Sequence, residues 1–147
     1  MQLREATIDD IPELCGLLNY LFEQEEEFKP NTEIQSEGLR KIISNSDVGV
    51  IIIAIDSNKV IGMVNILYTV STALGSRVAI LEDMVVSPKA RGKGMGSMLM
   101  KYSLDVAKQN GCKRITLFTD FDNDGAHRFY QQHGFICSSM VAFRKSI

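Results

Sequence analysis

The chain has 147 residues, of which 45% are hydrophobic and 23% charged, the ordinary balance of a soluble globular protein of single-domain size (1–147). A formal net charge of −2 argues against nucleic acid as a partner, because such proteins are usually basic. Cys15, Cys112 and Cys137 show no C-x-x-C spacing, so they are read as reduced thiols in a cytoplasmic protein, with no disulfide framework and no metal site. The start, MQLREATIDD, lacks the apolar stretch of a signal peptide, and the apolar run Val48–Ile55 is too short to span a membrane.

In chain order, Leu3–Ala6 reads as a short first strand. Asp9 is positioned to cap a helix with apolar residues Ile11, Leu14, Leu18, Leu21 and Phe22, and Pro12 is tolerated in its first turn. An acidic cluster of Glu23, Glu25, Glu26 and Glu27 follows, and then a second helix capped by Thr32 and running through Ile34, Leu39 and Ile43. Val48–Ile55 is continuous and β-branched, which predicts a strand covered on both faces. Ser57-Asn58 turns the chain into the next strand, Val60–Val70, and Ser71–Arg77 reads as a loop. A fourth strand spans Val78–Val86, a helix runs from Gly94 to about Asn110, and Gly111 is a natural stop. Arg114–Thr119 is a fifth strand, Asp124–Gln132 a short helix, and Phe135–Arg144 a last extended segment. The fold class is α/β (α+β), with one right-handed parallel crossover between the fourth and fifth strands.

Between the fourth strand and its helix the chain reads Arg91-Gly92-Lys93-Gly94-Met95-Gly96-Ser97. Strand, glycine-rich basic turn and helix N-terminus together make an anion site, since glycine lets N–H groups converge and the dipole favours negative charge. The spacing fits neither a Walker loop nor G-x-G-x-x-G, because Ser97 stands where the last glycine should fall. Taken alone, the hexapeptide also suits a basic surface turn. It resembles the R/Q-x-x-G-x-G/A signature of the GCN5-related N-acetyltransferases (GNAT). The later stretch Asn123-Asp124-Gly125-Ala126-His127-Arg128-Phe129-Tyr130-Gln131-Gln132-His133-Gly134-Phe135 resembles the N-x-x-A-x-x-[FL]-Y-x-x-x-G-F motif of the same family. The two motifs occur in the family's order and on the expected elements.

The resemblance implies a mixed central sheet with flanking helices and a parallel fourth–fifth pair that starts together and splays. It implies acetyl-CoA as cosubstrate, with its pantetheine arm along Met84, Val85 and Val86. Its pyrophosphate would lie in the loop from Arg91 through Gly92, Lys93, Gly94, Met95 and Gly96 to Ser97, and Asn123 would touch the arm from the other side. No metal is implied. Only 12 residues follow Phe135, which leaves little room for the two closing strands common in the family, so a wall of the cleft is open to a homodimer partner.

Acyl transfer to an amine needs something to take the amine proton and something to protonate the departing thiolate. Strand alternation puts Glu82 and Asp83 on opposite faces without saying which is the cleft. Family members with a matching E-D pair point to Glu82 as the base. Tyr130 is the candidate acid, because a phenol with pKa ~10 is protonated at neutral pH and can donate to a thiolate of ~8.5. No thiol looks nucleophilic, so direct attack in a ternary complex is expected. Glu25, Glu26, Glu27 and Asp83 favour a small cationic amine as acceptor, and Tyr68–Ser76 has a short likeness to the diamine/polyamine branch. A protein or peptide amine is the alternative acceptor. A non-catalytic coenzyme A binding module is the alternative class, against which the presence of both Glu82 and Tyr130 speaks.

Overall fold

The computed structural model describes residues 1–23 and 29–147. Its elements are β1 (Gln2–Glu5), α1 (Ile11–Phe22), α2 (Thr32–Ile43), β2 (Gly49–Asp56), β3 (Lys59–Ser71), β4 (Ser76–Val86), α3 (Met95–Gln109), β5 (Ile115–Leu117) and α4 (Asp124–Gln132), with 3-10 turns at Ile8–Asp10 and Pro88–Ala90. The sheet keeps chain order, β1-β2-β3-β4-β5. Its first three pairings are antiparallel and β4–β5 is parallel, which is the mixed architecture expected.

The β-branched run of β2 shows why the sheet is sandwiched. Ile51 and Ile53 join one core cluster with Leu14, Leu17 and Leu18 of α1. Ile52 and Ala54, one residue out of phase, join the other with Leu99 and Met100 of α3. All four β2 residues are at most 2% exposed, as a strand covered on both faces should be. At the β2–β3 corner, Ser57 and Asn58 have φ of 50° and 61°, the left-handed pair that a tight hairpin turn requires.

The helix starts differ from expectation by a residue. Asp9 stays exposed within the 3-10 turn, and Asp10 holds the N-cap position of α1. Asp10 is withheld from solvent by a bidentate pair with Arg4 (2.8 and 3.0 Å) and by the Thr7 amide, which donates to it at 2.7 Å. Likewise Asn31, not Thr32, caps α2, its side chain accepting from the Ile34 amide at 3.1 Å. The Arg4 guanidinium, ahead of the Thr7 amide, holds the Asp10 carboxyl below its usual range. Because the folded pKa is depressed, this stabilisation is complete above the unfolded value, ~3.9, and is lost as pH falls through the lower folded value. Asp10→Ala should destabilise the chain by ~2–3 kcal/mol at neutral pH and by much less at strongly acidic pH, read by denaturant titration.

Two segments change character. The expected loop Ser71–Arg77 contracts to a four-residue turn, since Ser71 pairs with Ser76 and Val70 with Arg77, extending both strands. Small polar residues read as loop locally, but cross-strand pairing claims them. The expected last strand, Phe135–Arg144, is not one: residues 135–147 hold no regular element. Among the described residues no helix is long and apolar enough to cross a membrane.

Candidate active site

The site forms where β4 leaves its parallel neighbour. β4 pairs with β5 only at Ala79–Ile115, Ile80–Thr116 and Leu81–Leu117. From Glu82 to Val86, β4 continues along β3 with no β5 partner. At the parting point β4 bulges: Asn65 pairs with Glu82 and Met63 with Val85, so three steps on β4 oppose two on β3. Asp83 takes the strain with φ of 52°, an uncommon conformation for a residue with a side chain.

The bulge resets the alternation of faces. Leu81 lies in the α3-side cluster and Val85 in the α1-side cluster, although four residues apart they would share a face in a regular strand. Simple alternation therefore fails at Asp83. Parity before and after the bulge sends Glu82 to the α1 face together with Val85, while Met84 and Val86 turn toward α3. Asp83 is turned inward, where its carboxylate accepts from the buried Asn65 amide at 3.2 Å.

The strand then meets the glycine-rich turn. Arg91 Nε donates to the Val86 carbonyl at 2.9 Å, folding the turn back over the strand end. A cavity of about 290 Å³ opens there, lined by Val86, Arg91, Gly92, Gly94, Met95, Gly96, Ser97 and Phe129. Lys93 is the one residue of the expected loop that does not line it. Gly92 and Gly94 have φ of 78° and 77°, and a Cβ at either would meet no atom within 4 Å. The space in front of them is open, and the first-turn amides of α3 face an end with no intrahelical acceptor. Gly96 differs: a Cβ there would touch the Phe129 ring at 3.6 Å, so this glycine serves the close approach of α3 and α4.

From the other side α4 supplies the second motif. Asn123 caps the helix, its side-chain oxygen accepting from the Ala126 amide at 3.1 Å, which leaves its NH2 group uncommitted to the cap. The Tyr130 ring stands edge-on to Phe129 and Phe135, with centroids 5.4 and 5.9 Å away. His133 was legible only as a surface or capping residue, yet its Nε2 lies 3.1 Å from Ser97 Oγ and ties α4 to the glycine turn. Phe129 and His133 were missed for the same reason: both act across the α3–α4 contact, which local spacing does not encode. Glu25, Glu26 and Glu27 lie outside the described residues.

A parallel pair that parts after Leu81, a glycine turn at a helix N-terminus and α4 packed beside it through Phe129 match the arrangement of elements both motifs implied. The model of the acetyltransferase (GNAT) family matches residues 13–135. The chain belongs to this family. It is 32% identical to the "uncharacterized N-acetyltransferase YhfO" of Bacillus subtilis over 92% of this chain and 89% of that one. It is 25% identical to the aminoalkylphosphonate N-acetyltransferase of Salmonella typhimurium, over 91% and 84%. A structure from Clostridium acetobutylicum, called a "predicted acetyltransferase with acetyl-CoA", superposes with a TM-score of 0.81 at 19% identity, covering 98% of this chain and 95% of that one. The chain is thus a GNAT acyltransferase, and the use of acetyl-CoA follows from the family.

The open residues suit that cosubstrate. The edge of β4 beyond Leu81 has no β5 partner and can take an amide-bearing arm, and the cavity lined by Gly92, Gly94 and Arg91 lies at the N-terminus of α3, where an anion is favoured. The bulge carries two adjacent carboxylates, Glu82 and Asp83. Glu82 reaches solvent, but partial burial raises its pKa, the adjacent Asp83 raises it further, and Arg144 opposes both. Burial raises Asp83 as well, against the stabilising hydrogen bond from Asn65. Burial raises the Tyr130 phenol above its ordinary value, so it keeps its proton through the neutral range. The His133 imidazole is pushed down by burial and by Lys101, and at neutral pH it meets Ser97 uncharged.

Proposed function

We propose that the chain transfers the acetyl group of acetyl-CoA to a primary amine by direct attack in a ternary complex. The observation that carries this reading is the β4 edge from Glu82 to Val86, left without a partner when β5 stops at Leu117. When bound, acetyl-CoA supplies the activated thioester. In this reading the backbone of Met84, Val85 and Val86 takes the pantetheine arm. Arg91, Gly92, Lys93, Gly94, Met95, Gly96 and Ser97 take the pyrophosphate, and the free NH2 of Asn123 reaches the arm from α4.

Glu82 acts as the base, directly or through a water. A carboxylate raised toward neutrality by burial and by Asp83 is better matched to this task than an ordinary glutamate. The amine nitrogen bonds to the acetyl carbon, the carbon–sulfur bond breaks, and the amine proton passes toward Glu82. Tyr130 gives its proton to the departing sulfur. Asp83, held by Asn65, is the neighbouring charge that tunes Glu82. Two of the three cysteines disfavour a thiol relay, while Cys137 is exposed in the tail. Cys15 is buried on α1, and burial pushes the Cys112 thiol up, away from the reactive thiolate.

The turn prediction follows from Gly94. Gly94→Val places a branched side chain in the open cradle at a φ that such residues avoid. Acetyl-CoA affinity should fall more than tenfold, or ~1.4 kcal/mol, by calorimetry, with the melting temperature checked in parallel. Unchanged affinity would put the phosphates elsewhere.

For the acceptor, we propose a small amine that arrives as a cation. The Glu82–Asp83 pair supports this, and the cluster Glu25, Glu26 and Glu27 adds local negative charge in the sequence. Changing those three glutamates to Gln together should raise KM for a polycation at low salt, and added salt should shrink the difference. An unchanged KM would remove the cluster from substrate choice. The relative named for aminoalkylphosphonates favours a second reading, an amine that also carries an anionic group. A turnover screen over polyamines, aminoglycosides, amino acids, peptides and aminoalkylphosphonates separates the two. Acetyl-CoA binding with no turnover on any of these amines would return the chain to a coenzyme A binding module.

A further inference from the structure

The contact between α4 and the glycine turn bears on the anion cavity itself. Ser97 lines that cavity, and its Oγ lies 3.1 Å from Nε2 of His133, the residue that ends α4. The ring stands edge-on to Phe129, with centroids 4.8 Å apart, and the His133 amide donates to the Tyr130 carbonyl at 3.0 Å. Phe129 in turn lines the cavity and packs beside Gly96. His133 does not line the cavity, so its influence there passes through Ser97.

A hydroxyl has one proton and two lone pairs. If Nε2 is bare, the Ser97 proton goes to the imidazole, and the cavity receives no donor from this side chain. If Nε2 carries hydrogen, it donates to Oγ and frees the Ser97 proton to point into the cavity. An anion draws donors, so occupancy of the cavity selects the second arrangement. Protonation of the ring enforces it, because both ring nitrogens then carry hydrogen. Protonation also sets a positive charge one side chain behind the anion.

We propose that His133 is a positioning residue for the diphosphate of the cosubstrate: it turns the Ser97 hydroxyl into the cavity, and protonation of its ring and binding of the anion favour one another. This rests on the reading that places the pyrophosphate before Gly92 and Gly94. In the free chain burial, and then Lys101, hold the imidazole below its ordinary value. Lys101 lies one turn beyond Ser97 on α3, and Arg91 lines the same cavity. The C-terminal end of α4 favours the charged ring. A bound diphosphate offsets the two cations and raises the ring. By reciprocity, affinity for the cosubstrate rises as pH falls through the raised value and levels off below the free one.

The test follows the His133 ring by NMR titration of wild type with and without coenzyme A. The chain has two histidines, and the His133→Gln spectrum assigns the signal. The His133 pKa should rise by about one unit on binding, which makes the protonated chain about tenfold tighter for the ligand. Calorimetry across pH reads the same coupling from the ligand's side. The 3′-phosphate of coenzyme A titrates in this range as well, so wild type is compared with His133→Gln, where that contribution is shared. Gln keeps an N–H donor for Ser97 but cannot titrate, so it should rescue affinity at neutral pH and lose the extra gain at acid pH. His133→Phe keeps a ring against Phe129 but lacks the donor, and should weaken binding about three- to tenfold at neutral pH. In a Ser97→Ala background the same change should do nothing further. A His133 pKa unmoved by bound coenzyme A, a His133→Phe variant with wild-type affinity, or full additivity with Ser97→Ala each overturns the proposal. The NMR titration needs wild type alone, so it decides even where a variant fails to fold. Weakened binding in Gly94→Val beside an unmoved His133 confines the failure to the His133 role, whereas unchanged binding in Gly94→Val overturns the placement of the pyrophosphate and this proposal with it.

Discussion

Tyr130→Phe is expected to lower kcat by at least tenfold, and toward the ~10²–10⁴ of a positioned acid where water cannot substitute, with little change in acetyl-CoA affinity. The ring packs edge-on between Phe129 and Phe135, contacts that phenylalanine keeps, so the variant removes the hydroxyl and little else. Burial raises the wild-type phenol, and an acid is competent only while protonated. The alkaline limb of kcat due to Tyr130 therefore lies above the ordinary tyrosine range. Wild-type kcat in the Phe variant would return Tyr130 to a packing role.

Glu82→Gln is the second large effect: kcat/KM should fall by ~10²–10³, because the amine proton loses its acceptor. The pH profile carries the discriminating sign. A base works only when ionised, and Glu82 is raised first by burial and then by Asp83. Its acid limb therefore stands above the ordinary glutamate range of ~4.3, superposed on deprotonation of the amine itself. Asp83→Asn removes the neighbouring negative charge and should shift that limb down, whereas Glu82→Gln should abolish it. Were Glu82 only a docking point for the ammonium, the Gln variant would raise KM and leave kcat and its limb in place.

Local pattern carried the scaffold far because each signal was strong on its own ground. The unbroken Val48–Ile55 run requires cover on both faces, and Ile51, Ile52, Ile53 and Ala54 divide between the two cores as that demands. The segment Arg91–Ser97 was readable as a turn into a helix because its closely spaced glycines stand directly before a helical pattern. What escaped reading depends on partners distant in sequence. The bulge at Asp83 exists only in the pairing of β4 with Met63 and Asn65 of β3, and it undoes the alternation argument for Glu82 and Asp83. The contact of His133 with Ser97 joins residues 36 apart through helix packing. The tail has an apolar, aromatic-bearing run, Met140–Phe143, that reads locally as strand, but a strand exists only in its pairing, and pairing is not a local property.

A structure with coenzyme A and an amine bound tests the central claim most directly. The account predicts the pantetheine amides in ladder contact with Met84–Val86 and the pyrophosphate before Gly92 and Gly94. The sulfur should lie within hydrogen-bond reach of the Tyr130 hydroxyl, and the amine within reach of Glu82 directly or through one water, ~2.6–3.2 Å per step. A pyrophosphate anchored away from the glycine turn, or a sulfur on the far side of β4 from Tyr130, would contradict it.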